Sequence, residues 1–599
     1  MFQTFTSSAA PEQGPPRLAD LRGAMVAAGL DGFLIPRADV HQGEYVAPCD
    51  DRLAWLTGFT GSAGFCAALR DKAGVFIDGR YRTQVKAQVD PAHFAPVPWP
   101  EVKLAGWLAS ELGAGVVGYD PLLHTAEQIA ELTAALPASI TLRACANQVD
   151  TIWHDRPAPP QGAITPYPEL LAGESHAAKR ARIAATLRKA GQQSAVLTLP
   201  DSIAWLLNIR GADIARNPVP HCFAVLHDDA RLTLYIDPAK LDGAARAHLG
   251  NDITLRPPNA FGAGLRSLTG PVRVDHGSAP IWVVQELNDA GVPHVAGQDP
   301  CVLPKACKSP AEITATREAH LRDGAAMVRF LHWFDQQPAG SITEIDVVTA
   351  LEGFRADTNQ LRDISFETIA GTGANGAVIH YRVTESTNAR LEDGQLIVVD
   401  SGGQYLDGTT DITRTLPVGS VGAAEKQAFT RVLQGMIAVS RARFPHGVAG
   451  QHLDALARAP LWMAGQDYDH GTGHGVGVFL CVHEGPQRIS RLSDIALRPG
   501  MILSNEPGYY REGAFGIRIE NLIAVQDAPA LPDGDAHRAM LDFETLTFAP
   551  IDRRLIDTRM LSGDELAWLN AYHAACRDKI GTRISGAARV WLEQATQPL

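Results

Sequence analysis

Apolar residues recur with two different periods along this chain, and the alternation between them gives the first architectural reading. Leu18 to Leu30 carries apolar positions at helical spacing, and Gly32–Ile35 after it reads as a short buried strand. A second apolar run, Gly74–Ile77, ends in Asp78-Gly79. About 150 residues later the order recurs, with a helical pattern over Lys179–Lys189 leading into a strand-like Ala195–Leu199. Alternating helical and strand periods predict α/β domains. A long helical pattern then starts near Ala311 and runs from Glu312 to Phe334, with Ala325, Val328, Leu331 and Phe334 on one face.

The recurrence holds residue by residue. Asp51-Arg-Leu-Ala-Trp55-Leu-Thr-Gly58 aligns with Asp201-Ser-Ile-Ala-Trp205-Leu-Leu-Asn208, and Phe76-Ile77-Asp78 aligns with Tyr235-Ile236-Asp237. Two matched blocks at nearly constant offset predict duplicated domains, with Trp55 and Trp205 buried between helix and sheet. The proline-rich stretch Arg156-Pro-Ala-Pro-Pro160 reads as a linker, and a second change of character falls between Pro300 and Pro310. The expected division is 1–156, 157–306 and 307–599, in keeping with a chain of 599 residues that exceeds one core.

Composition narrows the function class. With 53 Lys and Arg against 66 Asp and Glu, the formal charge is −13, spread without a sustained run of one sign. That balance argues against nucleic acid or an anionic membrane as partner. Eight cysteines lie far apart, with no CxxC pair or finger spacing, and are expected to be free thiols of a reducing compartment. The first residues, MFQTFTSSAAPEQGPP, carry neither a basic nor an apolar block of a signal peptide, and no run reaches about 18 apolar residues. A cytoplasmic protein is expected.

The candidate chemistry lies in the last third. Gln395-Leu-Ile-Val-Val-Asp400 reads as a buried strand ending in an acid. A polar, glycine-rich stretch from Ser401 to Gly408 turns the chain, and Thr409 to Thr415 returns past Asp411 with strand alternation. The design repeats: Gly500-Met-Ile-Leu-Ser-Asn-Glu506 runs in, and Phe515-Gly-Ile-Arg518-Ile-Glu520 comes back as a second hairpin. Alternation places Arg518 and Glu520 on one face, so an Arg518–Glu520 ion pair competes with metal binding as the reason for a carboxylate there. Between the hairpins stands His470-Gly-Thr-Gly-His474-Gly-Val-Gly477, followed by His483, while His380 lies 20 residues before Asp400. Glycines on either side of His474 leave its ring open to close approach.

Two patterns are set aside. Gly371-Thr-Gly373-Ala-Asn-Gly376 fits GxGxxG, but the residues after it do not read as a helix that could cradle a phosphate. His483-Glu484 does not extend to HExxH. Four carboxylates with one imidazole suit oxygen-loving divalent cations, Mn²⁺ first, with Co²⁺, Fe²⁺ or Zn²⁺ possible. Two such ions would neutralise the crowded acids and could support peptide hydrolysis.

These residues resemble the creatinase/methionine-aminopeptidase "pita-bread" superfamily, and over its whole length the chain is similar to the long, three-domain, cytosolic Xaa-Pro aminopeptidases. The resemblance rests on His41-Gln-Gly-Glu-Tyr-Val-Ala-Pro48, Gly58-Phe-Thr-Gly-Ser-Ala-Gly64, Asn147 to Trp153, Ala204 to Gly211, Ser365 to Ala370, Val399 to Tyr405 and Ser504-Asn-Glu-Pro-Gly508. It implies an α/β fold with two creatinase-like domains ahead of a pita-bread catalytic domain. It also implies two divalent metal ions per subunit, held by Asp400, Asp411, His474, Glu506 and Glu520, with manganese favoured over zinc or cobalt. In that pattern Asp411 and Glu520 bridge the ions, Glu506 is also general base toward a hydroxide shared by them, and His483 stabilises the tetrahedral intermediate. His380 and His470 line the substrate site, with Arg518 and Tyr510 orienting ligands and substrate. The implied reaction removes the first residue from peptides whose second residue is proline, and the implied assembly is a homodimer through the catalytic domain. Prolidase, acting on Xaa-Pro dipeptides, shares the ligands but lacks the duplicated front half. A non-catalytic, histone-binding relative should have lost ligands and gained an acidic tail, neither of which is seen.

Overall fold

The computed structural model describes residues 1–535 and 537–599. The chain divides into two compact units, one of Ser8–Lys305 and one of Ala306–Leu599 together with Met1–Ser7.

The first unit contains the same sheet twice. Its first sheet orders its strands Ala95–Pro98, Ala73–Ile77, Phe65–Leu69, Gly32–Pro36, Gly115–Tyr119, Ile140–Ala144; its second orders them Ile253–Arg256, Leu232–Tyr235, Phe223–His227, Ser194–Leu197, Val272–Val274, His294–Ala296. In both, the three strands centred on Phe65–Leu69 or Phe223–His227 are antiparallel and the flanking pairs parallel. The aligned tryptophan blocks are the helices Arg52–Thr57 and Pro200–Leu207, and each ends on a left-handed residue, Gly58 at φ 86° and Asn208 at φ 48°. Glycine and asparagine are the residues that bear that conformation cheaply. Asp78 and Asp237 each cap a short 3-10 turn by accepting from an amide two residues on.

The tryptophans differ from expectation in one respect. Trp205 is buried, but Trp55 is half-buried, stacked on Trp153 with ring centroids 5.0 Å apart. Each lies under a cation from its domain's first long helix: Arg17 over Trp55 and Lys179 over Trp205, both 4.4 Å from the ring centroid. Each cation also donates to the carbonyl of its tryptophan. The duplication therefore extends to a cation–π contact worth about 0.5–2 kcal/mol.

The second unit opens with helix Pro310–Asp335, started by a reciprocal Ser309–Glu312 cap. Strand Leu396–Ser401 lies between Ile369–Thr372 and Ile412–Pro417 in one antiparallel sheet. A six-stranded sheet includes Gly473–Gly475, Ile502–Asn505 and Asn521–Asp527. Helix Ala423–Ser440 buries Phe429, Val432 and Leu433 with Ile517 and Ile519, and helix Gly563–Ile580 adds Leu569 and Tyr572 to that core. All eight cysteines are free. Among the described residues, no helix is long and apolar enough to cross a membrane.

Candidate metal centre

Backbone pairing brings the acids together. Asp400 faces Thr413 across the ladder of Leu396–Ser401 and Ile412–Pro417, and Asp411 precedes the second strand. The intervening residues are more than a turn: Gly403–Tyr405 and Gly408–Thr409 form their own small hairpin, paired to Leu361–Ile364.

The second acid pair is built differently from the expected hairpin. Ile502–Asn505 pairs not with Phe515–Arg518 but with Asn521–Asp527, so that Asn505 faces Asn521. Phe515–Arg518 instead pairs with Gly508–Arg511 as a separate two-stranded ribbon. The chain leaves that ribbon at Ile519 and enters the large sheet at Asn521, with Glu520 at the crossing. Arg414 fixes the crossing. Fully buried, it donates to the Glu520 carbonyl at 2.6 Å, to Asn521 Oδ1 at 2.9 Å and to the Tyr572 hydroxyl at 2.9 Å.

The break also changes the ion pair. Arg518 Nε and Nη2 donate to Asp400 Oδ2 at 3.0 and 2.5 Å, so its carboxylate partner is Asp400 rather than Glu520. Glu520 Oε2 is held by the Thr413 hydroxyl at 2.9 Å. Arg518 Nη1 donates to the Tyr510 hydroxyl at 2.6 Å, and His470 Nε2 lies 2.9 Å from that hydroxyl. His470 Nδ1 sits 2.8 Å from the Gly471 carbonyl, which can only accept, so Nδ1 carries the proton and Nε2 accepts from Tyr510. Asp400, Arg518, Tyr510 and His470 thus form one connected chain, in which Arg518 donates both to Asp400 and to Tyr510.

His474 lies on Gly473–Gly475. Its Nδ1 is 3.0 Å from the Gly475 carbonyl, which places the proton there and leaves the Nε2 lone pair facing Glu506 Oε1 at 3.3 Å and Asp411 Oδ2 at 3.6 Å. A lone pair against two carboxylate oxygens is repulsive unless a cation lies between them. Ligands sharing an ion at about 2.0–2.2 Å stand roughly 3–3.5 Å apart, which these separations match. Asp411, His474 and Glu520 offer ligand atoms all within 4.8 Å of one another. Ser504 joins Glu506 to this group, its hydroxyl accepting from the His474 amide at 2.9 Å and donating to Glu506 Oε1 at 3.1 Å. The His483 ring packs edge-on to His474 with centroids 4.4 Å apart. His380 is half-buried on the turn after Gly373–Ala377, and its assignment rests on the resemblance alone.

Electrostatics point the same way. Burial, and then Glu520 and Asp400 as like charges, hold the Asp411 carboxyl far above the usual carboxylate range; burial and then Glu506 do the same to Glu520. Burial pushes Glu506 up to about 7, with Asp400 adding to the rise and Arg518 and His483 opposing it. Asp400 Oδ1 and Glu520 Oε1 are buried without a hydrogen-bond partner. A buried, unpaired carboxylate oxygen is costly, and cations would relieve it. The donor set therefore fits divalent metal. Thr413, Ser504 and Arg414 carry no motif in the sequence; Thr413 lies two residues after Asp411 in a segment of strand-like alternation, the one signal that could flag it. The glycines at 371–376 lead into the 3-10 turn Gly373–Ala377, not an α-helix.

The sequence pattern of Metallopeptidase family M24 matches residues 314–527, and that of the C-terminal region of peptidase M24 matches 539–599. The Creatinase/Prolidase N-terminal domain matches twice, at 17–152 and 155–312. A "Probable Xaa-Pro aminopeptidase P" of Laccaria bicolor is 39% identical over 97% of this chain and 93% of its own. "Aminopeptidase P2" of Arabidopsis thaliana is 38% identical over 95% of this chain and 86% of its own. Among solved structures, X-prolyl aminopeptidase from Caenorhabditis elegans, described as a cytosolic enzyme with a di-nuclear active site, superposes with a TM-score of 0.92 at 30% identity, covering 98% of this chain and 100% of that one. With relatives this similar from end to end, and with the carboxylate–histidine centre inside the matched region, the chain belongs to metallopeptidase family M24, among the Xaa-Pro aminopeptidase P proteins.

Proposed function

We propose that the chain is a metal-dependent aminopeptidase that releases the first residue from peptides with proline second. The observation that carries this reading is the buried convergence of Asp411, His474 and Glu520, beside unpartnered oxygens of Asp400 and Glu520. Asp400, Asp411, His474, Glu506 and Glu520 would hold two divalent cations, manganese by preference of the oxygen-rich donor set. Such ions supply an activated water at neutral pH and polarise a carbonyl.

The protein's own groups do the rest. The Glu506 carboxylate, beside His474, would take a proton from water and return it to the departing proline nitrogen. An unprotonated amine nitrogen is too poor a leaving group to depart from the tetrahedral intermediate, so the proline nitrogen must gain that proton. His483, whose ring packs on His474, would donate toward charge developing on the carbonyl oxygen. Tyr510 and Arg518 hold His470 as an acceptor-side partner, and with His380 these residues would line the substrate site.

Three further readings accompany this one. The chain divides into domains at 1–156, 157–306 and 307–599, supported by the unit boundary after Lys305. It works in the cytoplasm, supported by eight free thiols. It forms a homodimer through the catalytic unit, supported by the exposed apolar side chains Trp462, Met463 and Leu492, of which the last two are 91% exposed.

Metal-depleted protein, given an Xaa-Pro-Xaa tripeptide or an Xaa-Pro dipeptide and then Mn²⁺ or Zn²⁺, tests the main reading. Metal-dependent tripeptide cleavage is expected. Cleavage of the dipeptide alone turns the assignment to prolidase, and cleavage of neither overturns the peptidase reading. A Glu506→Gln variant with full activity removes Glu506 as the base.

A further inference from the structure

Residues Met1–Ser7 belong with the catalytic unit, although the chain from Ser8 to Lys305 folds as the other unit. Their contacts converge on the segment that carries His380. The Gln3 side chain is buried and makes a reciprocal pair with Thr368, donating to its carbonyl at 3.3 Å and accepting from its amide at 2.8 Å. The Phe2 amide donates to Glu352 Oε1 at 2.6 Å, and the Gln3 amide to Oε2 at 3.3 Å. The Phe5 ring packs on the core built by Met327, Phe330 and Val347, while its carbonyl accepts from the Glu385 amide at 2.9 Å. Arg382 donates to the Thr4 carbonyl at 2.9 Å and to the Thr6 carbonyl at 3.1 Å.

From inside, the same segment hangs on one carboxylate. Glu344, fully buried, accepts from the amides of Thr372 at 2.7 Å and Ala389 at 3.0 Å, from the Asn375 side chain at 3.0 and 3.1 Å, and from the Tyr381 hydroxyl at 2.9 Å. His380 is followed by Tyr381, anchored inward, and Arg382, anchored outward. Its backbone is therefore held on both sides, and the Arg382–Glu367 ion pair adds a tie on the outer one. Glu344 sits on the helix Glu344–Ala356 and is fixed by the fold, whereas the outer anchor is a stretch of extended chain from the far end of the sequence.

We propose that Phe2–Thr6 is a positioning strap: it clamps the segment around residues 368–385 and thereby sets where His380 meets substrate, while leaving the metal ligands untouched. The role of His380 in this proposal rests on the peptidase reading above; the clamp itself does not. A misplacement of about 1 Å in a substrate-positioning group can cost as much as about 10²-fold, so weakening the strap should fall on substrate capture.

Two full-length variants test it. Gln3→Ala with Phe5→Ala removes the reciprocal pair and the apolar anchor; Arg382→Met removes the donors to Thr4 and Thr6 without touching the core, with Glu367→Gln as the control for the ion pair that Arg382 also makes. In each, hydrogen exchange at the Thr368 and Glu385 amides should speed up about tenfold or more, with Val398 and Val399 still protected. KM for an Xaa-Pro-Xaa tripeptide should rise about tenfold while bound Mn²⁺ per subunit stays unchanged. A synthetic peptide of residues 1–7 should restore part of the lost KM in the Gln3→Ala, Phe5→Ala protein. Unchanged exchange at those amides overturns the strap whether or not peptide is cleaved. Faster exchange with an unmoved KM overturns its positioning role, and a fall in metal content shows a general structural defect instead. If the unmodified chain cleaves no peptide, the peptidase reading fails and the exchange result alone decides the strap.

Discussion

Glu506→Gln gives the sharpest test of the metal centre, because it reads the site without any turnover. The substitution keeps the side chain's shape and removes its charge. In the metal-free fold the Glu506 carboxyl is raised from an ordinary 4.5 to about 7, first by burial and then by Asp400. The sign follows from proton binding. Below pH 4.5 the folded and unfolded states both hold the proton, and the group contributes nothing. Between 4.5 and 7 the folded state binds more protons, so stability falls as pH rises; above 7 the full penalty is present. At about 1.36 kcal/mol per pH unit, that penalty is about 3 kcal/mol. The variant lacks it, and it also relieves Asp411 and Glu520, both of which feel the Glu506 charge.

Buried histidines such as His41, lowered to about 3 by burial and His221, shift stability in the opposite direction as pH rises. They are common to both proteins and cancel in the difference. Urea unfolding of chelator-treated parent and variant from pH 5 to 8 is the assay. The variant should gain about 2–3 kcal/mol on the parent between pH 5 and pH 8. Saturating Mn²⁺ should reverse the order, because an ion at 100 times its Kd adds about 2.7 kcal/mol per site and the variant has lost a charged ligand. A difference that is flat with pH in the metal-free proteins would refute the burial argument.

Other expectations follow from the same contacts. Arg518→Met should weaken metal binding by about 10–100-fold and cost the metal-free fold about 3–5 kcal/mol, since Asp400 would be left buried and unpaired; metal titration and thermal melts measure both, and an unchanged metal affinity refutes the link. Tyr510→Phe breaks the Arg518–Tyr510–His470 chain, and a stability loss of about 1–3 kcal/mol is expected in thermal melts as buried Arg518 and half-buried His470 each lose a partner. Trp462→Asp should shift the protein from dimer to monomer in sedimentation, with metal content retained; an unchanged sedimentation coefficient places the interface elsewhere. Trp205→Ala should cost about 3–5 kcal/mol through the cavity it leaves under Lys179, read as an early unfolding transition.

Much of this was legible before any coordinates. Acids closing apolar strands announced Asp400 and Glu506, and the short chain between Asp400 and Asp411 left little choice but neighbouring strands. The duplication was visible because the same cap, tryptophan and turn residues had to recur for the same sheet to form twice. The route of residues 500–523 was not. Alternation looks identical whether a strand continues or crosses between sheets, and the crossing at Glu520 is held by distant partners, Arg414 on its carbonyl and the Thr413 carbonyl on its amide. The partner of Arg518 changed with it. Thr413 and Ser504 carry no sequence signal beyond their place beside ligands. The stretch MFQTFTS shows no periodicity, and its contacts are made by residues more than three hundred positions away.

That separation has a consequence for how the protein is made. The strap leaves the ribosome well ahead of Arg382, its partner at Thr4, which is translated 378 residues later. At about 5–20 residues per second, the strap waits roughly 20–75 s for something to hold. Throughout that time the duplicated sheets can fold behind it, so Phe2–Thr6 are translated ahead of both sheets yet are among the last of these segments to find their place.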